Sequence, residues 1–312
     1  MKVMVTGGAG FIGSTVVDML VEAGHSVVIV DDLSTGRKSN INPKARFYQV
    51  DIRSPEMRDV FEAERPEVIS HHAAQMDVRR SMADPLFDAD VNILGSIKLA
   101  NLAREFGTRK FIHISSGGAA YGEPVYLPCD EKHPVTPLCF YGASKFTFEM
   151  YLYIYQQSFG LDYSVIRYPN VYGPRQDPHG EAGVVAIFAG QMLRQQPVTI
   201  FGSGEQVRDF VFVSDCARAN LMLLEKGSGQ VYNLGSGIGT SINEIFAALK
   251  EITAYPFDAR FAAAKPGETF KIYLDASRAK SDLGWMPAYD LMAGLKQTVA
   301  YFQQVEMARA DK

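Results

Sequence analysis

Apolar residues recur along the first half of the chain in two alternating patterns. Short apolar runs predict strands at residues 2–6, 26–30, 47–50, 68–70, 110–114 and 163–167. Longer segments with apolar residues at helical spacing separate these runs, and they predict helices at residues 11–21, 85–106 and 141–159. Repeated strand–helix units of this kind predict a doubly wound α/β fold, in which a parallel sheet carries helices on both faces.

The pattern changes after about Asn170. Residues 172–180 are rich in turn formers, and shorter elements follow, up to a final helix predicted at residues 291–302. We therefore predict a doubly wound domain at residues 1–170 and a smaller α/β lobe at residues 171–312, with the chain free to cross back between them. Such a lobe would cover the carboxyl ends of the strands, where ligands bind in open α/β sheets.

The first strand runs directly into a glycine-spaced turn, since residues 3–13 read VMVTGGAGFIG. This context is typical of a Rossmann-type dinucleotide-binding fingerprint. On this interpretation Gly7 permits the tight turn, Gly10 lets the backbone approach a pyrophosphate, and Gly13 lets the first helix pack closely. Asp31, at the end of the second strand, would bind the adenine-ribose hydroxyls and repel a 2′-phosphate. The cofactor that these residues predict is NAD.

Composition and charge narrow the class of partner. The 312 residues carry a formal net charge of −4 and no basic tract, which argues against a nucleic acid. No apolar run reaches membrane-spanning length, and the amino terminus does not resemble a signal peptide. Cys129, Cys139 and Cys216 lack metal-ligand spacing and cannot all pair, so we expect reduced thiols in a cytoplasmic protein without a metal site.

Tyr141 and Lys145 open the helix predicted after the strand at residues 110–114. A spacing of four puts both side chains on one helix face. An unperturbed phenol has a pKa of about 10, too high for a base at neutral pH, and a neighbouring ammonium lowers it. We therefore predict that Tyr141 is the catalytic acid and base, and that Lys145 lowers its pKa and hydrogen-bonds the nicotinamide ribose.

Two hydroxyl groups, those of Ser115 and Ser116, lie at the carboxyl end of the fifth predicted strand. We expect Ser116 to hydrogen-bond a substrate oxygen and to pass its proton to Tyr141. Ser115 is the alternative for the same role, and serine also commonly caps turns.

These features and two later stretches resemble the extended short-chain dehydrogenase/reductase family. The resemblance covers essentially the whole chain and includes the glycine loop, the Tyr141/Lys145 pair, residues 167–175 (RYPNVYGPR) and residues 207–211 (VRDFV). The later stretches are typical of the nucleotide-sugar enzymes of that family. Residues 180–188 (GEAGVVAIF) resemble its UDP-glucose 4-epimerase subgroup of bacteria and archaea.

The resemblance implies a set of NAD contacts spread over the first domain. By position these are Gly7, Gly10, Phe11, Ile12 and Gly13 in the glycine loop; Asp31, Asp32 and Leu33 at the adenosine ribose; Asp51, Ile52 and Asn92 at the adenine; Ala73, Ala74 and Gln75 at the central ribose and phosphates; and Tyr141, Lys145 and Tyr168 at the nicotinamide.

The resemblance also implies a UDP-hexose substrate that is held mainly by its nucleotide. Arg208 resembles the arginine that clamps the diphosphate with a planar fork of donors. Lys265 and Glu268 stand where the family often has an arginine and an aspartate, and a lysine cannot reproduce that fork. The other implied substrate contacts are Asn170 at the diphosphate, Val184 and Val185, Val198 and Phe201 at the uracil, and Ser116 and Tyr141 at the sugar.

By resemblance, we expect a homodimer that interconverts UDP-glucose and UDP-galactose by transient oxidation at C4, rotation of the 4-keto sugar and re-reduction. UDP-N-acetylglucosamine and UDP-glucuronate 4-epimerases share this chemistry and stay open as alternatives. Nucleotide-sugar dehydratases and decarboxylases need a carboxylate just after the strand-end hydroxyl, where this chain has residues 117–120 (GGAA). Many epimerases also carry a hydroxyl where this chain has Gly117. A non-catalytic NAD sensor would have no need of Tyr141 and Lys145.

Overall fold

The computed structural model describes residues 1–178, 183–264 and 269–310. Its strands are β1 (Lys2–Thr6), β2 (Ser26–Val30), β3 (Arg46–Tyr48), β4 (Val68–His71), β5 (Lys110–Ser116), β6 (Asp162–Tyr168), β7 (Asn170–Tyr172), β8 (Thr199–Phe201), β9 (Val207–Arg208), β10 (Phe210–Phe212), β11 (Gln230–Asn233), β12 (Thr240–Ser241) and β13 (Arg260–Ala262).

The helices alternate with these strands through most of the chain. They are α1 (Phe11–Glu22), α2 (Met57–Glu64), α3 (Val78–Ala83), α4 (Pro85–Ala89), α5 (Ser96–Glu105), α6 (Gly117–Ala120), α7 (Phe140–Phe159), α8 (Val184–Leu193), α9 (Val213–Leu223), α10 (Ile242–Thr253), α11 (Ser277–Leu283) and α12 (Leu291–Ala310). A 3₁₀ turn spans Lys38–Asn40, and a π-helix spans Asp90–Gly95. Within the described residues, no helix combines the length and the apolar character that crossing a membrane requires.

The main sheet has seven parallel strands in the order β11-β6-β5-β4-β1-β2-β3. Strands β1 to β6 lie in the order 3-2-1-4-5-6, which is that of a doubly wound dinucleotide-binding fold. The predicted fold class is therefore confirmed. Because β1 and β4 are neighbours at the centre, the glycine turn after β1 and the segment after β4 meet at the same edge of the sheet.

Alternate residues of β1 pack on opposite faces of the sheet, as the period of a strand requires. Val3 and Val5 belong to the buried cluster that includes Val16 and Leu20 of α1. Met4 belongs to the other buried cluster, which includes Leu99 of α5 and Phe148 and Leu152 of α7. Burial of each large apolar side chain contributes about 1.5–3 kcal/mol, so both helix layers are held firmly to the sheet.

The helix predicted at residues 85–106 is interrupted in the structure. α4 and α5 are joined by the π-helix Asp90–Gly95, whose wider turn inserts an extra residue. Within it the Asn92 side chain binds the backbone of Gln75 through two hydrogen bonds of 2.9 Å. The wider turn therefore accompanies a contact between this helix and the segment that follows β4.

A third buried cluster forms the smaller lobe, where α8, α10 and α12 pack together. The pairs β7–β10, β8–β13 and β9–β12 complete this lobe. Between these elements α9 packs on α1, and β11 joins the edge of the main sheet beside β6. The domain division at residue 170 stays a prediction; β11, which follows that residue, pairs with β6 of the main sheet.

Candidate active site

The glycine loop is shaped by close contacts of the backbone. Gly7 has φ +68°, and a Cβ there would lie 2.7 Å from the backbone nitrogen of Ala73. A Cβ on Gly13 would lie 2.2 Å from the carbonyl oxygen of Gly7. A Cβ on Gly10 would meet the Gly7 oxygen at 3.2 Å, a close but milder contact. Gly10 is thus the least crowded of these three glycines.

α1 begins at Phe11 with Gly10 as its N-cap, and no side chain caps its first turn. The first amides of a helix lack partners within the helix, and together with the helix dipole they favour an anion. Phe11, Ile12 and Gly13 therefore offer backbone N–H groups to a phosphate beside Gly10.

The Asp31 carboxylate lies at the end of β2, where the backbone around it fixes its position. Its Oδ2 accepts a hydrogen bond of 3.0 Å from the Ala9 amide, and its Oδ1 accepts one of 2.8 Å from the Leu33 amide. Burial raises the pKa of Asp31, and these two backbone bonds oppose that shift. Each oxygen has a further lone pair for a ribose hydroxyl. Asp32 instead accepts from the Ser34 amide and hydroxyl.

The residues predicted at the adenine lie on two elements. Asp51 is held by Arg53, whose Nη2 lies 2.6 Å from its Oδ2, and this bond lowers the pKa of Asp51. Ile52 is buried, and a Cβ on Gly95 of the π-helix would lie 3.0 Å from its Cδ1. Asn92 is also buried, and it acts on the site through Gln75.

The segment after β4 runs close to the glycine loop. The Ala73 amide donates a hydrogen bond of 3.3 Å to the Thr6 hydroxyl, and Ala74 follows it, partly exposed. Gln75 is buried, and its side-chain amide donates to Asp88 at 2.9 Å. Ala73 and Ala74 thus lie beside the glycine loop, whereas the Gln75 side chain is bonded to the protein.

Tyr141 and Lys145 lie in the first two turns of α7, on the same face. Desolvation of the phenol raises the pKa of Tyr141 to about 12; Cys139 and Asp88 raise it as well, whereas the Ser116 hydroxyl lowers it. Burial lowers the pKa of Lys145 to about 8, against the effect of the Asp88 and Glu149 carboxylates. No group within the part of the chain that the structure describes accepts a hydrogen bond from this buried ammonium. Ribose hydroxyl groups could accept hydrogen bonds from this ammonium.

Ser115 and Ser116 have separate partners. Ser116 caps α6 by accepting a hydrogen bond of 3.2 Å from the Ala119 amide, and its hydroxyl neighbours the Tyr141 phenol. Ser115 is buried and donates to Oε1 of Glu149 at 2.6 Å. The geometry therefore favours Ser116 as the hydroxyl at the reacting sugar.

Gly117 cannot supply the hydroxyl that many epimerases have at this point. A Cβ there would lie 2.5 Å from Cδ1 of Leu274, which is itself buried. Leu274 thus occupies the space that a side chain at residue 117 would need.

Asn170 and Tyr168 lie on either side of the turn between β6 and β7. The Asn170 side-chain oxygen lies 3.6 Å from the position of a Cβ on Gly118, so it faces α6, which follows Ser116. The Tyr168 hydroxyl is buried and accepts a hydrogen bond of 2.6 Å from Asn220 of α9. Tyr168 can therefore contact a ligand only through its ring.

The predicted substrate contacts of the lobe differ in exposure. Val185 and Val198 are buried in the core of the lobe, so they can offer a ligand only their backbone, whereas Val184 is partly exposed. Phe201, at the end of β8, is 41% exposed. The Arg208 guanidinium donates to the carbonyl oxygens of Val207 and Phe270 at 2.9 and 3.3 Å. Lys265 and Glu268 lie outside the described residues.

Sequence reasoning missed three buried charged groups beside the Tyr141/Lys145 pair. Glu149 and Arg167 form an ion pair of 2.7 Å, and Asp88 lies on α4. Glu149 follows Lys145 by four residues, so the same helical spacing that identified the first pair points to it. No such signal identifies Asp88, because the π-helix separates it from the periodic part of its helix.

Comparison with known proteins supports the same chemistry. Residues 3–235 match the model of the NAD dependent epimerase/dehydratase family. A Methanocaldococcus jannaschii protein described as a putative UDP-glucose 4-epimerase is 46% identical, over 96% of this chain and 98% of its own.

Two crystal structures of similar enzymes superpose closely on this chain. The UDP-glucose 4-epimerase of Thermotoga maritima with UDP-glucose is 48% identical, with a TM-score of 0.97 over 98% of this chain and 100% of that one. The UDP-glucose 4-epimerase of Thermus thermophilus in complex with NAD is 40% identical, with a TM-score of 0.93 over 97% of this chain and 99% of that one.

Proposed function

The chain belongs to the NAD dependent epimerase/dehydratase family, and on that basis we propose that it interconverts UDP-glucose and UDP-galactose. The observation that carries the proposal is the placement of Tyr141, Lys145 and Ser116 together at the end of the central strands, across from the glycine loop. An acid–base residue thus lies near the predicted cofactor-binding loop. Inversion at a carbon that bears a hydroxyl group needs both.

The residues present fit NAD. The uncapped start of α1 and the lack of a side chain at Gly10 suit its pyrophosphate, and the Asp31 carboxylate suits an unphosphorylated adenine ribose. The Lys145 ammonium suits the nicotinamide ribose. When bound, this cofactor supplies the acceptor and donor of the hydride at C4.

The proton chemistry falls to Tyr141. Its phenolic oxygen takes the proton of the sugar 4-hydroxyl and returns it after the 4-keto sugar has turned over. The pKa of the phenol is about 12 in the folded chain and Lys145 is not among the groups that shift it, so the lowering expected from Lys145 is not seen here. A phenol that holds its proton this tightly needs positive charge beside it during catalysis, and we assign that charge to Lys145 together with oxidised NAD. A positioned acid–base group of this kind contributes about 10²–10⁴-fold to the rate.

Substrate binding is asymmetric in this proposal. Arg208, Asn170 and the exposed Phe201 hold the UDP portion, and Lys265 and Glu268 are assigned to it from the family resemblance. The hexose is held loosely, because it must present both faces to the same phenol. The stretch after Ser116 is Gly117–Ala120 and carries no carboxylate for dehydration or decarboxylation.

We further propose that two copies of the chain pair through α7 and the neighbouring π-helix. Met150, Tyr153 and Ile154 of α7 and Leu94 of the π-helix are each more than half exposed. An apolar surface of this kind marks a site of association. The mass of the protein in solution tests this directly, and Ile154→Glu should convert a dimer to a monomer.

We also propose a cytoplasmic location. Cys129, Cys139 and Cys216 form no disulfide bond with one another in this structure, and unpaired cysteines are typical of cytoplasmic proteins.

Turnover of a panel of UDP-sugars tests the proposed activity. We expect UDP-galactose to yield UDP-glucose without added cofactor, in protein whose bound NAD has been quantified. The same panel contains UDP-N-acetylglucosamine and UDP-glucuronate, the two alternatives of identical chemistry. Protein that carries NAD but converts none of these sugars would contradict an epimerase function and favour an NAD-sensing role.

A further inference from the structure

Asp88 on α4 is a buried carboxylate with one oxygen left unmatched. The side chain is 1% exposed, and its Oδ1 accepts hydrogen bonds from the amides of Gln75 at 2.9 Å and Asn92 at 3.1 Å. Its Oδ2 is buried and has no hydrogen-bond partner among the described residues. A buried polar group is costly unless a donor or an opposite charge balances it. Such an oxygen therefore calls for a specific explanation.

A chain of hydrogen bonds fixes Asp88 against the catalytic end of α7. The Asn92 amide that donates to Asp88 also donates to the Ser144 hydroxyl at 3.1 Å, and that hydroxyl donates to the Tyr141 carbonyl oxygen at 3.0 Å. Ser144 lies directly before Lys145 in α7. The chain of bonds thus ties the carboxylate to the backbone of α7 at Tyr141 and Ser144, one residue before Lys145, and the carboxylate acts electrostatically on both side chains.

Across the residues that the structure describes, the other groups that face this pair carry no net charge. The imidazoles of His71, His72 and His113, from the β4 and β5 side, are neutral because burial holds their pKa values far below the usual range. Burial raises the pKa of the Cys139 thiol, so the thiol is neutral as well.

Glu149, on α7 itself, is neutralised by Arg167 of β6 at 2.7 Å. Among the described residues, Asp88 is then the acid near Lys145 that has no cation of its own.

We propose that Asp88 is a positioning residue, whose carboxylate is the counter-charge that keeps Lys145 an ammonium beside Tyr141. The role of that ammonium in turnover rests on the function proposed above. A negative charge favours the protonated form of every neighbour, and its effect on both Tyr141 and Lys145 has this sign. Removing the charge should therefore lower the pKa of both groups and move the working pH range of the enzyme downward.

The Asp88→Asn variant tests this with almost no change of shape. The asparagine carbonyl can still accept from Gln75 and Asn92, so the charge is the main loss. We expect both limbs of the pH profile of kcat to move to lower pH by about one unit or more. The matched control is Asp84→Asn, which removes an exposed charge at the N-cap of the same helix and keeps the cap. A lower kcat with both limbs unmoved in Asp88→Asn would reduce Asp88 to a structural role and overturn the proposal.

A second comparison uses stability and does not depend on turnover. In Lys145→Met the Asp88 charge is left without its partner, so adding Asp88→Asn should raise the urea midpoint of that variant. In the wild-type background the same substitution should lower the midpoint. A lower midpoint in both backgrounds would overturn the proposed pairing.

A spectroscopic titration separates this proposal from the proposed activity. The ionisation of Tyr141 is measured as the near-ultraviolet difference between each protein and its Tyr141→Phe counterpart, with bound NAD held equal. We expect the phenol to ionise at lower pH in Asp88→Asn than in wild type or Asp84→Asn, and an unchanged titration would overturn the proposal. Failure to turn over any UDP-sugar would refute the activity and leave this measurement valid.

Discussion

The Ser115 hydroxyl donates a hydrogen bond of 2.6 Å to Oε1 of Glu149. This bond ties the end of β5 to the middle of α7, and Glu149 in turn pairs with Arg167 of β6. Ser116, the next residue after Ser115, lies beside the Tyr141 phenol instead. Two adjacent serines therefore belong to different parts of the molecule, one to the support of the sheet and one to the reacting end of the site.

Alanine substitutions at the two serines should have opposite signatures. We expect Ser116→Ala to lower kcat about 10- to 100-fold, as the loss of a hydrogen bond to a charged group does. Ser115→Ala should leave kcat nearly unchanged and lower the free energy of unfolding by about 1–3 kcal/mol, because Glu149 loses a buried donor. Steady-state kinetics and urea unfolding measure both effects, and a larger kcat loss in Ser115→Ala would reverse the assignment.

Removing the Tyr141 phenol should abolish most turnover. We expect Tyr141→Phe to lower kcat about 10²–10⁴-fold, the usual contribution of a positioned acid–base group. NAD content and the affinity for UDP should stay near wild-type values, since most of the assigned contacts to both nucleotides are made by other residues. Tyr153→Phe, an exposed position on the same helix, is the matched control and should retain full activity. Comparable activity in the two variants would rule out Tyr141 as the acid and base.

Alanine substitutions at Gly10 and Gly13 should impair the protein for different reasons. In Gly10→Ala the added Cβ would lie 3.2 Å from the Gly7 oxygen, a contact that a shift of a few tenths of an ångström relieves. We therefore expect a folded protein with a small loss of stability and weaker NAD binding, because the methyl group enters the space assigned to the pyrophosphate. Gly13→Ala places its Cβ 2.2 Å from the Gly7 oxygen, and it should lose both NAD and stability. Bound NAD and the urea midpoint of each variant separate these effects. Full NAD content in Gly10→Ala would contradict the assignment of the pyrophosphate site to this loop.

The buried Lys145 gives stability a defined pH dependence. Its pKa is about 8 in the folded chain and 10.5 as the ordinary value, so above pH 8 the unfolded state binds more protons. The free energy of unfolding of wild type relative to Lys145→Met should therefore rise between pH 8 and pH 10.5. Urea unfolding of both proteins across this range, at equal NAD content, measures the difference. A flat difference would mean that Lys145 is solvated, and a falling one that an acid raises its pKa above 10.5 in the folded chain.

Local patterns in the sequence predicted most of the main sheet. The strands from β1 to β6 and helices α1 and α7 were recognisable because apolar periodicity and the glycine loop each determine local structure. The Tyr141/Lys145 pair was recognisable because its spacing places both residues on one helix face. The carboxyl end of the sheet could be located for the same reason, since ligands collect there in this architecture.

Properties that depend on distant segments escaped the sequence. Asp88 looks like one of many surface acids until the π-helix and α7 bury it. Val185 and Val198 look equivalent to Phe201 as lobe residues, yet they point into the lobe core while Phe201 is exposed. The choice between Ser115 and Ser116 needed the position of Glu149, which no short motif specifies.

The return of β11 to the sheet has a consequence for how the protein is made. β11 pairs with β6 from Gln230↔Ser164 to Asn233↔Arg167, so the outer strand arrives more than sixty residues after its neighbour. Until it emerges from the ribosome, β6 presents bare backbone groups that other nascent chains can join. A fragment that stops at residue 170 would lack β11 and leave the edge of β6 unpaired. We therefore expect residues 1–170 to aggregate when they are produced alone.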